Sequence, residues 1–328
     1  MIDLDGRPSL TILLSSAGRR VALLEAFRAG ARDLGINLTV VATDMMPEWS
    51  AACRLADHCA RMPRATDPQF VQQTAALCRE HNVALVVPTI DPELPVLARA
   101  TSAFEDLGVR VLVDPGLVAI SNDKLVTARW LDSIGVPVPL TQSIADVRGG
   151  APMIWPAIVK PVHGSASRGI SVAHSRADLA PHYPEPMIVQ QQLRGDEWTI
   201  NAFVDEEGEL RAVVPHRRVS VRAGEVEKGV TKRAPKFREV AQRIVQNLPA
   251  PRGPFCFQAI HGFDGSFGVF EINARFGGGY PLADHAGATF AKWLLGEAAG
   301  IPVDASDDWI EGVTMIRYDA AVFAMPCA

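Results

Sequence analysis

The feature of this sequence that most restricts its fold is an alternation of short, mostly apolar runs with amphipathic stretches over the first 115 residues. Residues 10–14, 38–42, 83–87 and 109–113 have the density of Val, Leu and Ile expected of buried strands, whereas residues 21–34 and 68–81 carry apolar side chains at helical spacing. Parallel strands need a crossover between them, and a helix after each strand supplies it, so this order calls for a parallel, doubly wound α/β sheet. Ligands of such sheets collect beyond the carboxyl ends of the strands. Here those ends are Ser15-Ser16-Ala17-Gly18-Arg19-Arg20, Thr43-Asp44 and Pro88-Thr89-Ile90-Asp91, an expected substrate wall.

Downstream the pattern changes. A helix over residues 121–134, capped by Ser121 or Asn122 and ended by Gly135, marks an expected domain junction. Residues 138–193 read as short strands with glycine loops, and residues 197–221 as a meander turning at Asp205-Glu206-Glu207-Gly208. A helix over residues 237–248 precedes the last strands. The formal net charge of −5 gives a nucleic-acid partner no support and leaves a small molecule as the expected ligand. The charged amino terminus lacks a signal-peptide core, and no apolar run is long enough to cross a bilayer, so no membrane partner is expected. Five cysteines, odd in number and without paired short spacings, indicate neither a disulfide framework nor a zinc site, and a cytoplasmic location is the expectation.

Chemistry-bearing residues gather in the second half. Glu271 and Asn273 lie two apart in an expected strand over residues 268–273, so both leave one face while Phe270 and Ile272 leave the other. A carboxylate beside an amide oxygen suits a hard divalent cation. Arg275 and the run Gly277-Gly278-Gly279 follow; three glycines in a row are costly unless backbone approaches something closely, which favours a substrate carboxylate or phosphate contact. Lys160 ends a strand before the small-residue loop 163–169, which taken alone is either a phosphate-contacting loop or a plain surface hairpin; the lysine precedes the loop, so a Walker-type site is excluded. Gln190 to Gln192, Leu193, Gly195 and Glu197 read as a strand entering a polar hinge, with Glu197 either a ribose-binding acid or a solvated strand residue. Arg218, on a strand, or Lys228, in the loop after it, reaches the substrate acid or a phosphate, or both lie on a solvated face. Asp91 and Glu93 recognise a substrate amino group or cap the next helix. Arg19 and Arg20 bind an anion or are plain surface charge, and His163, His216, His261 and His285 are expected to be exposed.

Taken in order, Asn122-Asp123-Lys124, Val159-Lys160-Pro161 with its glycine loop, the glutamine hinge with Gly195 and Glu197, Gln258, and Glu271-Ile272-Asn273-Ala274-Arg275 resemble the ATP-grasp superfamily. More narrowly they are similar to its carbamoyl-phosphate-synthase-like branch of carboxylate-amine ligases. The resemblance spans roughly residues 10–300, because Ser15 to Arg20, Thr43-Asp44 and Thr89, Asp91, Glu93 and Leu94 look like the domain that precedes the grasp there. It implies a Rossmann-like pre-ATP-grasp domain over residues 1–118 and a two-lobed α+β ATP-grasp fold over 119–328, the small lobe about 138–193 and the large lobe about 194–328. It further implies ATP with Mg2+, or Mn2+, as cofactors. Lys124 and Lys160 match the triphosphate contacts, and the loop with Gly164, Ser165 and Gly169 matches the phosphate lid. Gln190, Gln191 and Leu193 match the adenine hinge and Glu197 the ribose acid. Gln258, Glu271 and Asn273 match the metal ligands, and Arg275, with Lys160, the catalytic cations. Arg218, Lys228, Gly278, Gly279 and Asp91 are the expected substrate contacts. Two positions depart from the pattern: Gln191 stands where glutamate is usual, and Gln258 where a carboxylate is frequent. The implied activity is ligation of a small carboxylate, an amino acid or small peptide acid, to an amine, in a homodimer. The alternatives are phosphorylation of a small acid without ligation, and ATP binding without chemistry.

Overall fold

The computed structural model describes residues 7–164 and 168–323. Its first strands are β1 (Ser9–Ser15), β2 (Asn37–Asp44), β3 (His58–Arg61), β4 (Val83–Pro88) and β5 (Arg110–Val111). They form one sheet in the order β3-β2-β1-β4-β5, every printed pairing parallel. Crossovers come from α1 (Val21–Leu34), α2 (Ala51–Leu55), α3 (Phe70–Glu80), α4 (Leu94–Arg99) and α5 (Thr101–Glu105). α1 buries the stripe Leu23, Leu24, Phe27 and Ala31 and stops where Gly35 takes a left-handed φ of 67°. The sheet is the doubly wound one expected from the sequence, with the Arg19-Arg20 turn and Asp91 at the carboxyl ends of β1 and β4.

α6 (Pro115–Ser121) and α7 (Lys124–Ser133) replace the single helix expected over 121–134. The break falls where Asp123 leaves the helical region, and its carboxylate caps α7 by accepting from the amides of Leu125 and Val126. The cap is therefore Asp123, not Ser121 or Asn122. Next come β6 (Thr141–Ser143), α8 (Ile144–Arg148), β7 (Ala157–Pro161), β8 (Ser171–Ala173) and β9 (Met187–Gln191). These strands make an antiparallel sheet in the order β6-β9-β7-β8, over a core of its own built from Val147, Ala157, Val159, Ala173, Met187 and Val189.

A larger antiparallel sheet, ordered β14-β13-β10-β11-β12-β15, completes the fold. It comprises β10 (Gly195–Val204), β11 (Leu210–Arg222), β12 (Glu225–Thr231), β13 (Gly253–Gly262), β14 (Phe267–Asn273) and β15 (Thr314–Ile316), with α9 (Pro235–Gln246), α10 (Tyr280–His285) and α11 (Phe290–Ala299). Its apolar side chains share cores with the parallel sheet: Leu13 and Val86 with Ile200 and Phe257, and Phe27 and Leu85 with Phe203 and Phe290. No helix among the described residues is long and apolar enough to cross a membrane.

α1 and α11 pack so closely that a Cβ on Gly30 would lie 2.7 Å from the Lys292 Cα. Glycine inside a helix is normally a weakness, and here it admits the neighbouring backbone. Replacing Gly30 by Val should force the helices apart and cost about 1–3 kcal/mol, read as a lower urea midpoint at an unchanged denaturant slope.

Candidate functional site

A cleft of about 780 Å³ opens where the three sheets meet. Its walls include the β1 turn (Ser16 to Arg20), Asp91 after β4, Lys160 at the end of β7, Gln190 and Gln191 of β9, and Glu271 and Asn273 of β14. The volume lies in the range of small-molecule sites.

Lys160 is 6% exposed, and its Nζ lies 5.3 Å from the centre of the Phe270 ring. It makes no hydrogen bond to the described residues. Burial lowers its pKa to about 8, against the raising influence of the Glu271 carboxylate. Phe270 itself is a departure from strict alternation. Gln258 of β13 opposes Glu271 while Ala259 opposes Val269, so a β-bulge puts an extra residue into β14 and brings Phe270 into the cleft beside Glu271.

Glu271 has no hydrogen-bond partner among the described residues, a carboxylate left open toward the cleft. Asn273 is buried, and its Oδ1 accepts from Arg275 Nη2 at 3.0 Å. Gln258 Oε1 accepts from Arg218 Nη1 at 3.2 Å. An amide oxygen has two acceptor sites, so each of these retains one. No cluster of three His, Cys, Asp or Glu side chains able to hold a metal occurs among the described residues. A divalent ion here would rest on one carboxylate and two amide oxygens, a sparse set that fits an ion completing its shell with phosphate and water.

Arg275 clasps Asp91 through two hydrogen bonds of 2.8 Å. Burial opposes its charge, but the Asp91 carboxylate outweighs it and raises the guanidinium's pKa. Arg218 is held as firmly, donating to Glu197 at 2.6 Å and to the Gly224 carbonyl at 2.9 Å. Burial raises the Glu197 pKa and the Arg218 charge opposes it. On the opposite wall, Lys124 Nζ donates to the Gly164 carbonyl at 2.6 Å. In the hinge, Gln190 Nε2 donates to Thr141 Oγ1 at 2.8 Å, and Gln191 Oε1 accepts from the Leu140 amide at 3.2 Å.

The expected site residues Asp91, Lys124, Lys160, Gly164, Gln190, Gln191, Leu193, Glu197, Arg218, Gln258, Glu271, Asn273, Arg275, Gly278 and Gly279 all line this cleft. Gly169 is not among the lining residues, although it sits next to Arg168 and Ile170, which are. Ser165 lies outside the described residues. Lys228 is not brought to the cleft: it is an exposed residue within β12, paired with Ser220 and Ile316, where a loop was expected. Glu93 cannot meet a substrate amine, because it is wholly buried and accepts from Ser15, Ser16 and the amides of Thr89 and Ile90. His216 was expected in solvent and is fully buried, its pKa pushed down to about 3 by burial and by the Arg218 and Arg317 charges. The glycine run answers to packing: a Cβ on Gly277 would meet Cys256 Sγ, on Gly278 the Glu225 carboxylate and on Gly279 the His216 ring.

Glu225 and Arg317 carry charge at this wall and went unremarked in the sequence. Ala223 and Gly224 both have positive φ, 51° and 79°, the geometry of a tight hairpin whose first following residue is Glu225. The Ala-Gly pair between two alternating strands was the available signal.

Comparison with known proteins agrees with this architecture. Residues 12–112 match the PylC-like N-terminal domain, and residues 121–279 match the ATP-grasp domain. A formate-dependent phosphoribosylglycinamide formyltransferase of Synechococcus sp. is 28% identical over 179 residues, 52% of this chain and 42% of that protein. A 3-methyl-D-ornithine–L-lysine ligase of Methanosarcina mazei is 29% identical over 204 residues, 62% of this chain and 51% of its own. The chain thus spans about half the length of these curated relatives. Among solved structures, an N5-carboxyaminoimidazole synthetase from Staphylococcus aureus complexed with ADP superposes with a TM-score of 0.73 at 14% identity, covering 92% of this chain and 80% of that one. The chain belongs to the ATP-grasp superfamily.

The Lys160 pKa near 8 sets a pH dependence. Below it the ammonium is charged and available to an anion; above it the charge is lost. Affinity for a nonhydrolysable adenine triphosphate should fall between pH 7 and pH 9 in calorimetric titrations, and Lys160→Met should flatten that decline. For folding the sign is opposite. A lysine depressed in the folded state costs stability while it is charged, so that cost is relieved as pH rises from about 8 toward the unfolded value near 10.5.

Proposed function

We propose that this protein is an ATP-dependent carboxylate-amine ligase that activates a small acid as its acyl phosphate and joins it to an amine. One observation carries the reading. A buried lysine and a carboxylate, Lys160 and Glu271, neither with a hydrogen bond among the described residues, face one cleft lined by a polar hinge. No hydrogen bond among those residues ties either charge to the framework, and a metal-bound polyphosphate would use both.

In this reading Lys124 and Lys160 take the triphosphate, with Gly164 beside it; the contacts expected of Ser165 and Gly169 rest on the family resemblance. Gln190, Gln191 and Leu193 lie along adenine, and Glu197, steadied by Arg218, meets the ribose. Glu271, Asn273 and Gln258 would hold magnesium, which when bound offsets charge on the phosphate oxygens. A substrate carboxylate oxygen attacks the γ-phosphorus as the bond to ADP breaks; the amine nitrogen then attacks the acyl carbon, phosphate departs and the nitrogen loses a proton. Lys160 and Arg275 favour the first step by offsetting charge on the transferring group, and the dry walls strengthen that effect. The division at residues 118/119 and assembly as a homodimer accompany this reading through the family resemblance alone, and a cytoplasmic setting through the cysteine pattern.

The test is a screen of acids and amines, singly and in pairs, for ADP and phosphate release together with product mass. A ligase releases phosphate and a condensed product only when both partners are present. ADP formed at full rate with acid alone, with phosphorylated acid accumulating, would make the protein a kinase. Lys160→Met and Glu271→Gln should each lower turnover on any active pair by about 10²–10³-fold; wild-type turnover in both would overturn the site.

A further inference from the structure

Three guanidiniums converge on one carboxylate in the cleft wall. Glu225, carried by the β11–β12 hairpin, lies 3.3 Å from Arg20 Nη1, 3.4 Å from Arg19 Nη2 and 3.9 Å from Arg317 Nη1. The three arginines come from distant parts of the chain, two from the turn before α1 and one from just after β15. None of these contacts is a hydrogen bond. The contrast with Arg275 and Asp91, joined by two bonds of 2.8 Å, is direct.

The bookkeeping of charge and donors leaves a surplus. One carboxylate faces three fixed cations, an excess of two positive charges. A guanidinium has five N–H donors, and neither Arg19 nor Arg20 donates a side-chain hydrogen bond to the described residues. Arg317 spends one donor on the Gly278 carbonyl, while its Nε is buried without a partner. Only a fifth of the Arg20 side chain is exposed, and burial lowers its pKa against the pull of Glu225, so the position is costly unless an anion arrives. Glu225 holds like charges together without using their hydrogen bonds. Planar forks with open donors match a carboxylate better than they match a lone metal or a neutral group.

We propose that Arg19, Arg20 and Arg317, gathered by Glu225, form a seat for a substrate carboxylate that is not the one activated, so that the amine partner is an amino acid or peptide with a free carboxylate. The seat is separate from Lys160 and Glu271 in donor set, and it lies on the wall expected from the carboxyl ends of the parallel strands. This inference rests on the ligase reading and names the class of its second substrate.

The test pairs each amine found active with its own carboxamide and measures KM for the amine and for ATP. The wild-type protein should favour the free carboxylate by about 10- to 100-fold in kcat/KM, the value of charge-assisted hydrogen bonds. Arg19→Gln and Arg20→Gln should raise KM for the amino acid and erase the preference, leaving KM for ATP unchanged. Arg19 is two-thirds exposed, so its variant gives an answer even if Arg20→Gln fails to fold. Equal use of acid and amide by the wild type, or a preference unchanged in Arg19→Gln, overturns the seat and leaves the ligase intact. ADP release from no pair at all overturns both.

Discussion

The ion pair between Arg275 and Asp91 is the constraint on which the geometry of the cleft depends. Asp91 stands just past the end of β4 in the parallel sheet, and Arg275 stands just past the end of β14 in the large antiparallel one. One guanidinium closes the distance with two bonds to Asp91, and turns two further donors to Asn273 Oδ1 and the Phe276 carbonyl. The pair therefore fixes both the separation of two sheets and the orientation of an amide oxygen beside Glu271. A partly buried pair of this kind adds little net stability by itself, but losing Asp91 strands the Arg275 charge, whose side chain is only 10% exposed. The shared apolar cores carry most of the adhesion between the sheets, and the pair sets their register.

Around that anchor the cleft alternates charges fixed by a partner and charges without hydrogen bonds. Arg218 with Glu197, and Arg275 with Asp91, are held in place by short hydrogen bonds. Lys160, Glu271, Arg19 and Arg20 have no such bonds among the described residues. Fixed dipoles and cations placed before a ligand arrives need no reorganisation when it does, which is the main advantage an enclosed site has over water.

Much of this was legible in the sequence, for identifiable reasons. The first sheet declared itself because buried parallel strands are nearly continuous apolar runs, as in β1, β2 and β4. β3, with the sequence His-Cys-Ala-Arg, has no such run and was invisible; it is an edge strand that pairs on one side only. Spacing alone placed Glu271 and Asn273 together but could not foresee the bulge that brings Phe270 to the same cleft, since a bulge belongs to the pairing of two strands. His216 was misread for a related reason: its burial comes from the packing of β11 against the glycine run, which local pattern does not encode. Lys228 and Glu225 exchange significance because the hairpin turns at Ala223-Gly224 and leaves Glu225, not Lys228, at the mouth.

The four-stranded sheet keeps its buried apolar residues to itself, while the other two sheets pool theirs. Among its attachments to the rest of the chain, Val269 donates its amide to the Pro137 carbonyl, and Leu193 and Pro139 lie against Gly268, where a Cβ would come within 2.9 Å of each. A body with a private interior, joined to its neighbours largely by hydrogen bonds such as that from the Lys124 amide to the Val162 carbonyl, would give up little buried apolar surface on tilting. The glutamines at 190 and 191 lie beside that pivot, so a planar ring resting on them would register every change of angle between the two halves.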